Sequence, residues 1–244
     1  MNKFNFQEEF SDYIEAGFVP VLTEDGSLSL QPNEAFGAEQ EQMHSRGGAL
    51  SESVFIYFEA LDYFFNQDNQ HIGKVVESVG LGLGYNEVLT FLSCSKNKAF
   101  DVRLFSYEAE RILEPLFFKR LEQPEEYPVY WKQFSDRFDF DVSEACTFLK
   151  QKIELKGPLS EFEIEKNEKE QRIILFDAYS NKTTENLWTE SFLKTYLSTC
   201  KEGSVLATYA ATGVLKRKLE DCGFKNLNKS GFLKKRQSTL AVKL

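Results

Sequence analysis

The stretch "VVESVGLGLGYNEVLTF", residues 75–91, decides the fold of this chain. An apolar run ends in three alternating glycines, Gly80, Gly82 and Gly84, and an amphipathic helical pattern follows. A strand, a glycine turn and a helix in this order are typical of the first unit of a parallel α/β sheet. The bare backbone either approaches a ligand closely or only allows a tight turn.

The spacing of the glycines argues against two common phosphate sites. Tyr85 stands where a dinucleotide-binding loop needs a third small residue, and no Lys-Ser/Thr pair follows as in a P-loop. The amino-acid and ribose portions of S-adenosylmethionine remain as a ligand that lies flat against backbone. A ribose also needs a carboxylate at the end of the next strand, and Glu108 in "RLFSYEAE" has that position. The alternative is a glycine turn beside a solvated glutamate.

Strands and helices alternate from about residue 74 to 222, and two strands without a helix between them close the chain. This pattern predicts an α/β, Rossmann-like fold of the S-adenosylmethionine-dependent methyltransferase type. We expect a mostly parallel seven-stranded sheet with an antiparallel C-terminal strand. Residues 1–65 are expected to form strands and a helix that pack over the cofactor site. Residues 66–244 are expected to form the core, in one compact unit with the extension.

Composition excludes several other classes. No apolar run approaches the ~20 residues that a membrane span needs, and the start "MNKFNFQEEFSDY" lacks the layout of a signal peptide. We therefore expect a cytoplasmic protein that does not contact a membrane. Two histidines and four scattered cysteines predict that there is no metal centre, which leaves an organic cofactor or carboxylates for the chemistry.

Charge is unevenly distributed along the chain. The net charge is -9, but from Gly213 to the end nine Lys and Arg stand against two acids, which gives +7 there and leaves -16 elsewhere. A basic part on an acidic body fits a polyanion that is contacted at one place, and a solvated face is the alternative.

Four groups of residues, in order along positions 40 to 244, resemble one known family. It is the MnmC methyltransferase domain with its stand-alone MnmD-like relatives, which act in tRNA wobble-uridine modification. The similarity is carried by "MHSRGGALSESVFIYFEAL" (43–61), "VGLGLGYNEVLT" (79–90), "LFDAYSNKTTENLWTESFL" (175–193), and "GSVLATYAATGVLKRKLEDCGF" (203–224) with "GFLKKRQSTLAV" (231–242).

The resemblance implies an enzyme that uses S-adenosylmethionine to methylate the exocyclic amine of 5-aminomethyl-2-thiouridine at the tRNA wobble position. The FAD-dependent oxidase domain of the bifunctional members is expected to be absent, so no FAD is expected, and a separate FAD-dependent oxidase is a candidate partner. The anticodon region of tRNA is expected to contact the basic C-terminal part, with Lys234, Lys235 and Arg236.

Asp177 ends the strand "RIILFDAYS" and is the predicted catalytic residue. An alkylammonium has no lone pair, so a carboxylate beside it is needed to hold the amine and accept a proton. Tyr179 and Trp188 are predicted to bind the substrate as an aromatic wall, although Trp188 fits a core position equally well.

Three further cofactor contacts are predicted. By resemblance, the segment before the glycine strand folds over the cofactor and Glu52 contacts it; a solvated acid at a helix start is the alternative. Asn86 either seats the methionine end of the cofactor or caps the helix. Asp141 is the candidate contact for the adenine end.

The chain departs from the family on the substrate side. The family's D-x-F-x-P-x-K-x-P has become "DAYSNKTTEN", without either proline and with Lys182 one place early. This loop is therefore expected to be more mobile or shaped for another acceptor. Two alternatives to the tRNA enzyme stay open: a methyltransferase of the same fold acting on a small amine or another macromolecule, and a non-catalytic relative that binds a partner.

Overall fold

The computed structural model describes the chain apart from residues 1–5, 34–40, 68–72, 161–163, 165–169, 181, 228 and 234–236. Within the described residues, none of the helices combines the length and the apolar character needed to cross a membrane.

The N-terminal part is a hairpin flanked by short helices. Its two antiparallel strands turn at Asp25 and Gly26, where Gly26 has a φ of +80°. The elements are α1 (Phe6–Glu9), α2 (Ser11–Glu15), β1 (Phe18–Leu22), β2 (Leu28–Pro32), α3 (Ala49–Ser53), a π-helical turn (Val54–Phe58) and α4 (Glu59–Asn66). The last three run on without a break, because the backbone of Ser53, Val54 and Phe58 stays in the α region.

The core is a seven-stranded sheet in the order β5-β4-β3-β6-β7-β9-β8. All neighbours are parallel except that β9 runs antiparallel to both β7 and β8. Its strands are β3 (Lys74–Val79), β4 (Val102–Tyr107), β5 (Ile153–Lys156), β6 (Arg172–Phe176), β7 (Val205–Thr208), β8 (Phe224–Asn226) and β9 (Thr239–Lys243). The predicted sheet with its antiparallel C-terminal strand is confirmed.

Helices cover both faces of this sheet. They are α5 (Tyr85–Asn97), α6 (Leu113–Glu122), α7 (Pro128–Ser135), α8 (Val142–Lys152), α9 (Glu190–Ser198) and α10 (Gly213–Asp221), with 3-10 turns at Pro124–Glu126 and Glu185–Trp188. Strand β6 shows why its sequence is continuously apolar: Ile173 and Leu175 belong to one hydrophobic cluster, and Ile174 and Phe176 to the other. Alternate side chains of a strand point to opposite faces, and here both faces are buried.

One charged network is buried inside the sheet. Glu77 of β3 accepts hydrogen bonds from Arg172 Nη1 of β6 at 2.7 Å and from the Tyr196 hydroxyl of α9 at 2.7 Å. All three side chains are fully buried, so each charge has its partner inside the protein.

The topology brings three strand ends together. Strand β3 lies between β4 and β6, and the chain crosses from one side of β3 to the other at this point. The backbone joins the three ends directly: Gly80 N donates to Tyr107 O at 2.9 Å, and Asp177 N donates to Val79 O at 2.9 Å. Such a switch point is where open α/β sheets bind their ligands.

Candidate active site

A cavity of about 240 Å³ lies at the ends of β3, β4 and β6. The core contributes the glycine turn, Glu108 and Asp177 to its wall, and the N-terminal part contributes residues 41–45 and Glu52. The pocket therefore lies between the sheet edge and the segment that precedes α4.

The three glycines have different roles. Gly80 and Gly82 line the pocket with φ of +98° and +50°, and a Cβ on Gly80 would lie 2.7 Å from the carbonyl oxygen of Asp177. Gly84 has a φ of +73° but is not among the lining residues; a Cβ there would lie 2.4 Å from the Phe117 ring. The prediction that Gly84 contacts the cofactor is corrected: its small size lets the turn pack on α6.

A buried cation fixes the turn from behind. Arg120 of α6 is fully buried, and its Nη2 donates to Leu83 O at 2.5 Å while its Nη1 donates to the Tyr13 hydroxyl at 2.5 Å. The guanidinium lies 3.9 Å from the centre of the Tyr130 ring, and the Tyr130 hydroxyl also donates to Leu83 O at 2.9 Å. The Leu83 carbonyl is thus held by two donors, which orients the backbone between the last two glycines.

Glu108 ties the end of β4 to the glycine turn. Its Oε2 accepts from Leu81 N at 3.0 Å and Gly82 N at 3.1 Å, and its Oε1 accepts from Glu110 N at 2.8 Å. Burial raises the pKa of Glu108, and these backbone donors oppose that rise. A carboxylate oxygen has capacity for more than one hydrogen bond, so Glu108 can still accept from a ligand in the pocket.

Asp177 is held by two donors, one on each oxygen. The Tyr57 hydroxyl donates to Oδ1 at 2.7 Å, and Asn86 Nδ2 donates to Oδ2 at 3.2 Å. Desolvation nevertheless raises the pKa of Asp177 to about 8, with the negative charges of Glu52 and Glu87 adding to the rise. Without a cation beside it, this carboxyl is largely protonated at neutral pH.

The pocket wall is strongly acidic. Four carboxyl groups line it, from Glu41, Glu52, Glu108 and Asp177. Glu52 is buried and its Oε2 accepts from Ser45 N at 2.7 Å. Among the lining residues that the structure describes there is no Lys or Arg. An acidic, partly desolvated cleft of this kind favours cationic ligands.

Three buried polar atoms in the wall have no hydrogen-bond partner within the described residues. They are Gln42 Nε2, Asn86 Oδ1 and the Tyr179 hydroxyl. Buried polar groups in folded proteins are nearly always paired, so unpaired ones around a cavity indicate that a ligand completes them. Tyr179, predicted to bind substrate, lies in the wall as expected for that role.

The loop after Asp177 is tied to the N-terminal part. Glu41 accepts from Ser180 N at 3.1 Å, from Ser180 Oγ at 2.9 Å and from Thr183 Oγ1 at 2.9 Å. Within the loop, Thr184 Oγ1 donates to Tyr179 O at 2.7 Å. Hydrogen bonds thus restrain a loop in which the sequence has no proline.

Two predicted contacts lie outside the pocket wall. Trp188 packs edge-on against Phe176 with ring centres 5.0 Å apart, and its Nε1 donates to Tyr179 O at 2.8 Å, so the core alternative holds and the substrate role is corrected. Asp141 is exposed and caps α8, where its Oδ1 accepts from Ser143 N at 2.7 Å. Its assignment to the adenine end is corrected, because the carboxylate is used at the helix start.

The basic part can be described only in part. Lys234, Lys235 and Arg236 lie outside the described residues. Lys218 is paired with Glu190 and Asp221, whereas Arg217 and Lys225 are exposed.

Sequence reasoning missed several residues of the pocket, listed here: Glu41, Gln42, Tyr57 and Tyr209. Tyr57 reaches Asp177 from a helix 120 positions earlier, through a π-helical turn. Neither the π-helical turn nor the distant partner has a local sequence signal. His44, a residue of the same segment, lies in the wall with its ring centre 5.1 Å from that of Tyr85.

Comparison with known proteins agrees with this architecture. A family model for S-adenosyl-L-methionine-dependent methyltransferases matches residues 126–244. An uncharacterized protein of Methanocaldococcus jannaschii is 27% identical over 260 positions, which cover 99% of this chain and 64% of that protein. The chain thus spans just under two thirds of the length of that relative.

The crystal structure of MnmC2 from Aquifex aeolicus matches with a TM-score of 0.64 and 19% identity, over 99% of this chain and 78% of that one. The resemblance to the MnmC methyltransferase domain is confirmed. The chain therefore belongs to the S-adenosyl-L-methionine-dependent methyltransferases, which its C-terminal half matches, and it has the fold of MnmC2 along its length.

Proposed function

We propose that the protein is an N-methyltransferase that transfers the methyl group of S-adenosylmethionine to the 5-aminomethyl group of (2-thio)uridine at the tRNA wobble position. The observation that carries this proposal is the acidic pocket at the switch point, with Asp177 at its base and no Lys or Arg among the described lining residues. Both a sulfonium cofactor and an alkylammonium acceptor are cations, and such a wall attracts both.

The residues present fit the cofactor. The bare backbone of Gly80 and Gly82 gives the ligand close access, and Glu108 would hold the ribose hydroxyls. The unpaired Asn86 Oδ1 and the Glu52 carboxylate would hold the ammonium of its methionine end. When bound, S-adenosylmethionine supplies an electrophilic methyl group.

Asp177 would prepare the acceptor. An alkylammonium with a pKa near that of lysine, about 10.4, must lose a proton before its nitrogen can attack. The pKa of an ordinary aspartate, 3.8, is far too low to take that proton, but burial raises the pKa of Asp177 to about 8. The smaller mismatch makes the transfer from the ammonium to the carboxylate much less unfavourable.

Further features support the tRNA acceptor. Tyr179 presents a ring and an unpaired hydroxyl, and Gln42 an unpaired amide, which together suit a nucleobase. Exposed Arg217 and Lys225 belong to the basic part that we propose meets the phosphate backbone.

We further propose that residues 1–65 form the extension that covers the cofactor, since residues 41–45 and Glu52 already line the pocket. A separate FAD-dependent oxidase is the proposed partner, because a methyltransferase of this kind needs the free amine from another enzyme.

The proposal is tested by methyl transfer from labelled S-adenosylmethionine to bulk tRNA that lacks the native modification. Label is expected in the wobble uridine. Asp177→Ala should abolish transfer while calorimetry shows cofactor affinity largely unchanged. Asp141→Ala is the matched control, because it also removes an aspartate but lies outside the pocket wall.

The outcomes separate the alternatives. Transfer by Asp177→Ala at the parent rate would show that the assigned role is wrong. Cofactor binding without tRNA methylation, but with label on small amines, would favour the small-amine enzyme. Absence of cofactor binding would favour the non-catalytic relative.

A further inference from the structure

Tyr57 is placed unusually for a helical residue. It lies in the π-helical turn Val54–Phe58, is fully buried, and directs its hydroxyl at Oδ1 of Asp177, 2.7 Å away. π-helical turns inside helices are found often at functional sites, where they re-aim a side chain.

Asn86 completes the arrangement from the other side. Its Nδ2 donates to Oδ2 of Asp177 at 3.2 Å, so each carboxylate oxygen has one donor, from two different helices. Two donors on two oxygens fix both the position and the plane of a carboxylate. Burial leaves Tyr57 no water with which to exchange this bond.

We propose that Tyr57 is a positioning residue for Asp177: its hydroxyl orients the carboxyl group toward the acceptor amine and favours the ionised form that must accept the proton. This inference rests on the proposed function, since it assigns Tyr57 a role through Asp177. Tyr57 itself does not line the cavity and is not expected to touch the substrate.

The surroundings of Asp177 show why such a donor is needed. Burial opposes the anion, and other groups around it are negative or become so on titration: Glu52, Glu87, Tyr179 and Tyr209. Tyr57 and Asn86 are the two side chains that donate hydrogen bonds to the carboxylate. The pKa of Tyr57 is raised well above 10 by its own burial, so it remains a neutral donor throughout the working range.

The test compares Tyr57→Phe with a matched control, Tyr196→Phe. Both changes delete a buried tyrosine hydroxyl that donates to a carboxylate at 2.7 Å, but Tyr196 bonds to Glu77 in the sheet. Both variants should therefore lose comparable stability, while Tyr57→Phe alone alters Asp177. Far-ultraviolet circular dichroism checks that each variant is folded.

The first readout is the titration of Asp177 by ¹³C NMR of aspartate-labelled protein, with the signal assigned by its loss in Asp177→Asn. A hydrogen bond to a charged group contributes about 1.5–3 kcal/mol, so Tyr57→Phe should raise the midpoint by roughly one to two pH units. Tyr196→Phe should leave it where it is in the parent.

The second readout is the pH dependence of kcat/KM for methyl transfer. The acidic limb should move to higher pH by the same amount in Tyr57→Phe, which is about tenfold less activity per unit at pH 7. An unchanged NMR midpoint in Tyr57→Phe, or an equal shift in Tyr196→Phe, would overturn the inference. If the parent itself transfers no methyl group to tRNA, the proposed function fails, and the NMR titration still decides the role of Tyr57.

Discussion

Asp177→Asn should make the folded protein more stable while it removes the proposed activity. An unfolded aspartate has a pKa of 3.8, and burial raises the pKa of Asp177 in the fold to about 8. Between these pH values the folded state keeps a proton that the unfolded state has lost. The free energy of unfolding therefore falls as pH rises, by about 1.4 kcal/mol per unit, which amounts to about 4 kcal/mol by pH 7.

Asparagine can replace the carboxyl without losing its hydrogen bonds. Its amide oxygen can accept from the Tyr57 hydroxyl as Oδ1 of Asp177 does. Its amide nitrogen needs an acceptor, and Asn86 Oδ1 has no partner within the described residues. A half turn of the Asn86 amide would bring that oxygen into place. The variant thus removes the cost of ionisation and keeps the packing.

The assay is chemical denaturation of the parent and of Asp177→Asn, without ligands, at pH values from 5 to 9. Taking the difference between the two proteins cancels the titration of the other buried carboxyls, including Glu87 with its pKa near 7. The advantage of the variant should grow by a few kcal/mol from pH 5 to 8 and then level off. A difference that does not change with pH, or a variant less stable than the parent at pH 8, would refute the reasoning.

Three other predictions concern the turn, the loop and the basic part. Gly80→Ala should destabilise the protein clearly more than Gly73→Ala in denaturation. Both positions have positive φ, which costs an alanine about 1–2 kcal/mol, but only Gly80 brings its Cβ to 2.7 Å from a carbonyl oxygen. Glu41→Ala should raise the KM for tRNA several-fold with little change in cofactor affinity, because it frees the acceptor loop; weaker cofactor binding in calorimetry would contradict that. Replacing both Arg217 and Lys225 by Ala should flatten the salt dependence of tRNA binding by about 0.7–0.9 per lost phosphate contact, and an unchanged slope would place the tRNA elsewhere.

The sequence was enough to predict the fold and the base of the pocket. A strand, a glycine turn and the following helix are local signals, and parallel topology then brings Glu108 and Asp177 to the same edge without further information. The ending with two strands and no intervening helix predicted the antiparallel strand β9 for the same reason.

The errors came from competing local chemistry. An aspartate near the start of a helix caps it more often than it binds a ligand, and Asp141 does so. A tryptophan after a loop can face either a pocket or the core, and Trp188 faces the core. Gly84 was assigned to the cofactor because sequence does not show that Phe117 packs against it. Tyr57 and Arg120 act across long sequence separations, which spacing alone cannot reveal.

The acceptor loop shows how one restraint can replace another. A proline limits a loop through its own ring, whatever surrounds it, and lowers the entropy of the unfolded chain. Here the loop is held instead by three hydrogen bonds to the Glu41 carboxylate, which belongs to the segment before α3. The shape of the acceptor side therefore depends on that segment being in place, together with Glu52, which the same segment binds through Ser45. Acceptor and cofactor walls are thus joined through one short stretch of chain, so a change in residues 41–45 should affect both.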